Sequence, residues 1–194
     1  YPVSGLKYPP PSITALAADS VLEKPAVAVL PFHNFSSDPD QAYFADGIAE
    51  DLLTALSRYR WLMVIARNSS FSYKSQSPNV LQVGRELGVR HVVQGSVRKS
   101  GNRIRISAQL IDTASGNHVW AERFDRDLAD VLQLQDEIAL TIAGAIEPQL
   151  SKAEQDRARR KPLDNLDAWD MYQRGLWHYW QYSKESSAEA QRLF

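Results

Sequence analysis

The sequence predicts a mixed α/β fold: a three-layer-like mixed sheet of about five strands, in the order β-α-β-α-β-β-β, flanked by helices and followed by an α-helical repeat segment. Three observations carry this. Two short apolar runs, AVAVLP at 26–31 and LMVIA at 62–66, bracket a stretch whose apolar residues recur every three or four positions, the pattern of two buried parallel strands joined by a crossover helix. Residues 103–112 (RIRISAQLID) alternate apolar and polar between the turn sequences KSGN and SGN, as hairpin strands do. Beyond residue 163, aromatic residues recur at helical spacing.

Composition narrows the function classes. The 194 residues carry 22 Lys plus Arg against 23 Asp plus Glu, a net charge of −1, so no global field draws nucleic acid or an anionic membrane. The absence of Cys excludes disulfides, thiolate catalysis and Cys-ligated zinc. No apolar run approaches the ~20 residues of a spanning helix, and the first residues lack a signal-peptide pattern. No membrane insertion, cofactor or metal is expected. The chain opens without Met at Tyr1 and closes inside a helical pattern at Phe194, so a fragment of a longer polypeptide is expected.

Residues 1–24 carry Pro2, Pro9, Pro10 and Pro11 with little apolar period and read as a linker from a preceding domain, or else as a docking ligand for an aromatic groove. An α/β domain is expected over 25–147. Asp38 and Pro39 supply an N-cap and first-turn proline for a helix from about Gln41 to Arg58, with Phe44, Ile48, Leu52 and Leu56 on its sheet-facing stripe. Asp46, Glu50 and Asp51 fall outside that stripe; a solvated face near the positive end of the helix dipole is the simpler reading than acid-base chemistry. Arg67 to Lys74 (RNSSFSYK) reads as a loop leaving the carboxyl end of the second strand, and His33 to Phe35 leaves the first at the same edge. Ligands of open parallel sheets bind at that edge. Asn34, Arg67, Asn68, Ser69, Ser70 and Lys74 are therefore the ligand-binding candidates, although no Gly-rich phosphate loop accompanies them, and turn capping by Asn68 and the serines is the plainer alternative.

Asn79 opens a short helix with Gln82 at capping-box spacing, and Gly88 closes it. A strand over 90–98, the alternating strand over 103–112 and a strand over 118–124 follow. The basic residues Arg98, Lys99, Arg103 and Arg105 suggest a nucleic-acid surface, but acids follow at Glu122, Asp125 and Asp127 and no aromatics interleave. Leu128 to Ile146 is amphipathic apart from Gln135 in its apolar stripe, and Pro148 is expected to kink or end it. Residues 148–162, with the charged run SKAEQDRARRK, read as a solvated helical connector. In 163–194, Leu166, Trp169, Tyr172, Leu176, Trp177 and Trp180 make a stripe too aromatic to stay uncovered. Gly175, Ala190 and Phe194 fit the small and aromatic positions of a first, truncated tetratricopeptide-like hairpin. Trp169, Tyr172, Trp177 and Trp180 are the protein-interaction candidates, with a homodimer as one outcome.

The strings AVAVLPFHNFSSDPDQAYFADGIAEDLLTAL, VIARNSSFSYK, VGRELGVRHVVQGSVRKSGNRIRISAQLIDTASGNHVWAERFDRDLADVLQLQDEIA and LDAWDMYQRGLWHYW together resemble the TolB amino-terminal-like domain of bacterial signalling proteins. The resemblance is continuous over about Pro25 to Arg160. It implies an anticodon-binding-like mixed sheet flanked by helices, placed between an amino-terminal effector and a carboxyl-terminal tetratricopeptide array. The effector in that family is commonly a class III adenylate or guanylate cyclase domain, or a winged-helix DNA-binding domain. The loop FSSD at 35–38 departs from the family, which more often has a glycine there. The resemblance carries over no catalytic residues, and it implies a noncatalytic regulatory module of a cyclase-type, cAMP-signalling protein, with the sensor part of a winged-helix regulator as the alternative. It also implies a cytoplasmic location, or else the periplasmic part of a membrane-anchored regulator. An enzyme reading remains, a small hydrolase or transferase built on His33, Asp46, Glu50 and Lys74, as does a nucleic-acid reading built on the basic hairpin and Arg157 to Lys161.

Overall fold

A computed structural model describes residues 24–36, 40–74, 79–127 and 131–194. Residues 1–23 of the linker expected over 1–24, the Asp38–Pro39 helix entry and the helix start at Leu128 lie outside the described residues. Strand β1 (Ala26–Val29) is fully covered, as expected of a parallel strand between layers. Its continuation β2 (His33–Asn34) comes after Leu30, Pro31 and Phe32. Along strand β4 (His91–Ser100), Val29 lies opposite Val93 while His33 lies opposite Ser96, so one extra residue is accommodated as a bulge. Pro31, which has no N–H to give a ladder, sits in that interruption. Phe32 then packs over Gly95: a Cβ there would lie 2.4 Å from the Phe32 ring and 2.5 Å from the Ser107 carbonyl.

Helix α1 (Asp40–Leu56) crosses to strand β3 (Met63–Val64), parallel to β1. Helices α2 (Arg67–Phe71) and α3 (Val80–Leu87) lead into β4, also parallel to β1. Strands β5 (Arg103–Asp112) and β6 (His118–Asp127) then add antiparallel hairpins, giving the order β3-β1-β4-β5-β6 with β2 beside β4. The mixed six-stranded sheet matches the predicted element order, β2 and α2 being the additions. In β5, Ile104, Ile106, Ala108 and Leu110 are buried and the residues between them are not, as the alternation requires.

One sheet face is covered by α1 and by α4 (Val131–Arg160), whose Ile48, Leu52, Leu56, Ile138, Ile142 and Ile146 are fully buried. Each such side chain contributes about 1.5–3 kcal/mol on transfer from water. On the other face α3 lays Val83 against Ala26, Ala28, Leu30 and Val92. Gly88 ends α3 at φ 64°, a left-handed cap suited to glycine. The capping box expected at this helix is half formed: Asn79 accepts from Leu81 N, whereas the Gln82 side chain donates to Glu86 instead (2.6 Å). Gln135, the polar break in the α4 stripe, is buried and donates to the Phe44 carbonyl of α1 (3.1 Å). Gly47 leaves it room, since a Cβ there would lie 1.9 Å from Gln135 Nε2.

Two expectations for α4 are corrected in part. Of the kink or end expected at Pro148, the end does not occur, and the connector expected over 148–162 is helical to Arg160 as expected but is not solvated throughout. Pro148 and Gly144, the residue whose carbonyl loses its N–H partner, are both exposed, whereas Ile146 and Leu150 on the packed side are fully buried. The freed carbonyl belongs to an exposed residue, open to solvent, while burial of the opposite side holds the helix together. The last turns bury Leu150, Glu154 and Ala158, and the C-terminal segment is fastened to them by Trp169, which donates to Glu154, and by Arg174, which donates to the Ala158 carbonyl. A 3-10 turn (Leu163–Asn165) leads to α5 (Ala168–Tyr179) and α6 (Lys184–Leu193), one antiparallel hairpin. Asp167 and Asp170 form the capping box of α5, and Ser183 caps α6. Gly175 lets the Phe194 ring approach to where a Cβ would lie 2.6 Å away.

Candidate functional site

The six ligand-binding candidates do not meet in a common cavity among the described residues. The segment expected as a loop is helical over Arg67–Phe71. Ser70 is fully buried and its Oγ has no partner among the described residues, so it faces no ligand from solvent. Arg67 pairs with Glu50 (3.3 Å) and lies 4.2 Å from the Phe71 ring centroid. Lys74 pairs with Asp46. Asn68 and Ser69 are exposed, Ser69 giving its carbonyl to the Ser72 hydroxyl. Asn34 accepts from Ser36 N (2.8 Å), and Ser36 Oγ accepts from Lys99 N (2.8 Å), which fastens β2 to β4. The acids Asp46 and Glu50 thus each hold a cation. His33 lies apart from them, in a cavity with Gln94, Ser96 and Gln109 on the sheet face opposite α1 and α4.

Of the basic residues, Arg105 is bound bidentately by Asp125 (2.7 and 3.3 Å), and that hydrogen bond holds the Asp125 carboxyl below its usual range. Arg98 lies 5.3 Å from the Phe35 ring centroid. In the run near residue 160, Arg157 bridges Glu154 and Asp170, Arg159 covers the Trp177 ring at 4.1 Å, and Lys161 reaches Asp167 and Asp170. These cations are occupied in joining α4 to α5.

The interaction candidates divide. Trp169 is 8% exposed, stacked on Trp61 at 6.1 Å and 15°, and its bond to Glu154 is 3.3 Å. It is an internal bolt rather than a docking surface, because Trp61, on the segment between α1 and β3, supplies the cover its own hairpin lacks. Trp177 is half-buried under Arg159, while Tyr172 and Trp180 remain exposed beside Phe194 and Tyr179 respectively.

A concavity of ≈ 690 Å³ lies elsewhere, between the C-terminal half of α4 and the end of the sheet where β4 begins and β5 ends. Glu154, which lines it, and Asp170, which shares the Arg157 guanidinium with Glu154, are each 0% exposed. Glu154 Oε2 accepts from Arg90 (2.6 Å) and Arg157 (3.2 Å), and Asp170 from Arg157 (2.7 Å) and Lys161. Two buried carboxylates are tolerable only with such cationic donors around them. Hydrogen bonding to Asp170 raises the Lys161 ammonium above its ordinary value. Burial lowers the His91 imidazole from its ordinary value, favouring the uncharged form. Sequence reading missed this site because its parts are separated by 64 residues between Arg90 and Glu154; an acid inside a basic run was the sole signal.

Residues 23–141 match the HilA/YgeH-like transcriptional regulator second-domain family. The chain belongs to that family. It is also 48% identical over 184 residues to a Rhizobium meliloti (strain 1021) protein named "Putative adenylate cyclase 3", a match that covers 95% of this chain and 31% of that protein. The chain thus spans about a third of the length of that curated relative. Among solved structures it is similar to Acinetobacter baumannii TolB, at 19% identity and a TM-score of 0.48 over 66% of this chain and 28% of that one. It is similar as well to the C-terminal domain of Escherichia coli LpoB, at 19% identity and a TM-score of 0.42, covering 59% and 90%. No described helix is long and apolar enough to cross a membrane.

Proposed function

We propose that this chain is a noncatalytic regulatory and protein-interaction segment of a bacterial signalling protein whose catalytic part is a class III adenylate cyclase domain in the same polypeptide. The observation that carries the reading is the 48% identity along 95% of this chain to a third of a protein named for that activity. Such a cyclase consumes ATP, which argues for the cytoplasmic side. In this reading α5 and α6 are the first unit of a tetratricopeptide array. Exposed Tyr172 and Trp180 meet the next unit, a protein partner or a second copy, and α4 carries the effect to the sheet as a rigid rod. The second reading, the sensor part of a winged-helix transcriptional regulator, is favoured by the family match over 23–141.

The experiment is cAMP formation from ATP by the longer polypeptide encoded by the gene, with and without residues 24–194, beside the 194-residue chain alone. Turnover is expected from the longer protein, with a changed rate after deletion, and none from the chain alone. Turnover by the chain alone would overturn the noncatalytic assignment. A longer protein that forms no cAMP but binds DNA with salt-sensitive affinity would decide for the second reading.

A further inference from the structure

The cavity beside α4 has three properties that the fold does not need. Its size, ≈ 690 Å³, is that of small-molecule sites, roughly 300–1,000 Å³. It carries unspent positive charge. Arg90 is paired with Glu154 and Arg157 with Glu154 and Asp170, and the Asp112 carboxylate is taken up by its own turn, accepting from Ala114 N, Ser115 N and the Ser115 hydroxyl. Asp156 is held by Arg159 (3.4 Å). Lys152 and Arg160 also line the cavity, both exposed, and neither has an ion pair among the described residues. They stand eight residues apart, so they share one face of the helix. Finally, two lining residues keep a buried side-chain atom with no hydrogen-bond partner: Glu154 Oε1 and His91 Nδ1. Buried polar atoms without partners are uncommon, and each is costly unless a water or ligand supplies one.

We infer that this cavity binds a small phosphate ester bearing hydroxyl or amino donors, with Lys152 and Arg160 holding the phosphate and Glu154 and His91 taking the donors. The assignment comes from the mixture. Flexible cations at the rim suit an oxyanion. A carboxylate oxygen is acceptor-only and an uncharged imidazole offers one accepting nitrogen. The apolar lining from Val89, Val119 and Ala153 accommodates the body of the molecule. Glu154 also accepts from Arg157 and from the Trp169 indole, so a ligand reaching it touches the joint between sheet and hairpin. The inference does not depend on attachment to a cyclase.

The test is calorimetric titration of the 194-residue chain with AMP, glucose 6-phosphate, adenosine and inorganic phosphate, with the indole N–H resonance of Trp169 assigned through Trp169→Phe. Binding of at least one ester is expected, with none of adenosine. Its affinity should weaken about tenfold or more, 1.4 kcal/mol, in Lys152→Ala/Arg160→Ala, whose exposed positions leave the fold intact, and should fall with added salt. The Trp169 resonance should move on saturation. The inference is overturned if neither ester binds, if adenosine binds as tightly as AMP, or if inorganic phosphate alone binds. It is equally overturned if the double variant keeps its affinity or the Trp169 resonance stays in place, in which case Arg160 only complements the negative end of α4 and Lys152 is a solvated surface charge.

Discussion

Two glycines show how differently the same missing methyl can matter. A Cβ at Gly95 would meet the Phe32 ring and the Ser107 carbonyl, at 2.4 and 2.5 Å. One is wedged in the bulge and the other belongs to the neighbouring strand, so neither can yield without breaking the ladder. A Cβ at Gly47 would meet the end of the Gln135 side chain, which can swing away at the loss of its hydrogen bond to the Phe44 carbonyl. Gly95→Ala is therefore expected to destabilise by about 3 kcal/mol, and Gly47→Ala by about 1–2 kcal/mol. Urea unfolding of the two variants checks the order. Titration obeys the same local logic. Burial, with Asp136 and Glu50 nearby, raises the Asp51 carboxyl, so its charge opposes folding at neutral pH and ceases to do so as the pH falls through its raised value.

At the scale of elements, α4 decides the architecture. Its 30 residues make a rod of about 45 Å that covers the sheet with one half and anchors α5 with the other. Proline within a helix costs about 3 kcal/mol in an exposed interior. Here the neighbouring buried residues hold the helix in shape, so that cost is borne without a break. Pro148→Ala is expected to raise stability by about 1–3 kcal/mol, read as an increase in the urea midpoint with unchanged slope. A fall in stability would mean that the residue shapes a bend on which the packing depends. The short helix α2 is a lesser case. Its five residues are too few to show a period, so the sequence reads Ser70 and Phe71 as loop residues, yet burial of Ser70 and the packing of Phe71 on the core give the turn its helical form.

For the whole molecule, the joint between sheet and hairpin rests on Trp169 and the buried carboxylates below it. Trp169→Ala removes the stack on Trp61 and the donor to Glu154. It is expected to cost about 3–5 kcal/mol and to expose the 161–167 segment, read as faster cleavage there in limited proteolysis while the sheet remains folded. Intact resistance would show that the ion pairs of Arg157 and Lys161 hold the hairpin without the ring.

Much of this was legible in the residues themselves. The strands near residues 26 and 63, the α1 stripe through Ile48 and Leu52, the alternation of β5 and the caps at Asn79 and Gly88 are local patterns, set by periods of 2.0 and 3.6 and by backbone conformations few residues adopt. The sequence by itself determined the order of the main elements, β2 and α2 aside, and which face of the amphipathic ones is apolar. Tertiary structure alone decided that Pro148 lies inside a helix, that Trp169 is a bolt, and that Arg90, His91, Glu154 and Arg157 surround one cavity. Those outcomes turn on partners 13 to 108 residues away, and the burial of a charge or a ring depends on what the chain brings to it from a distance.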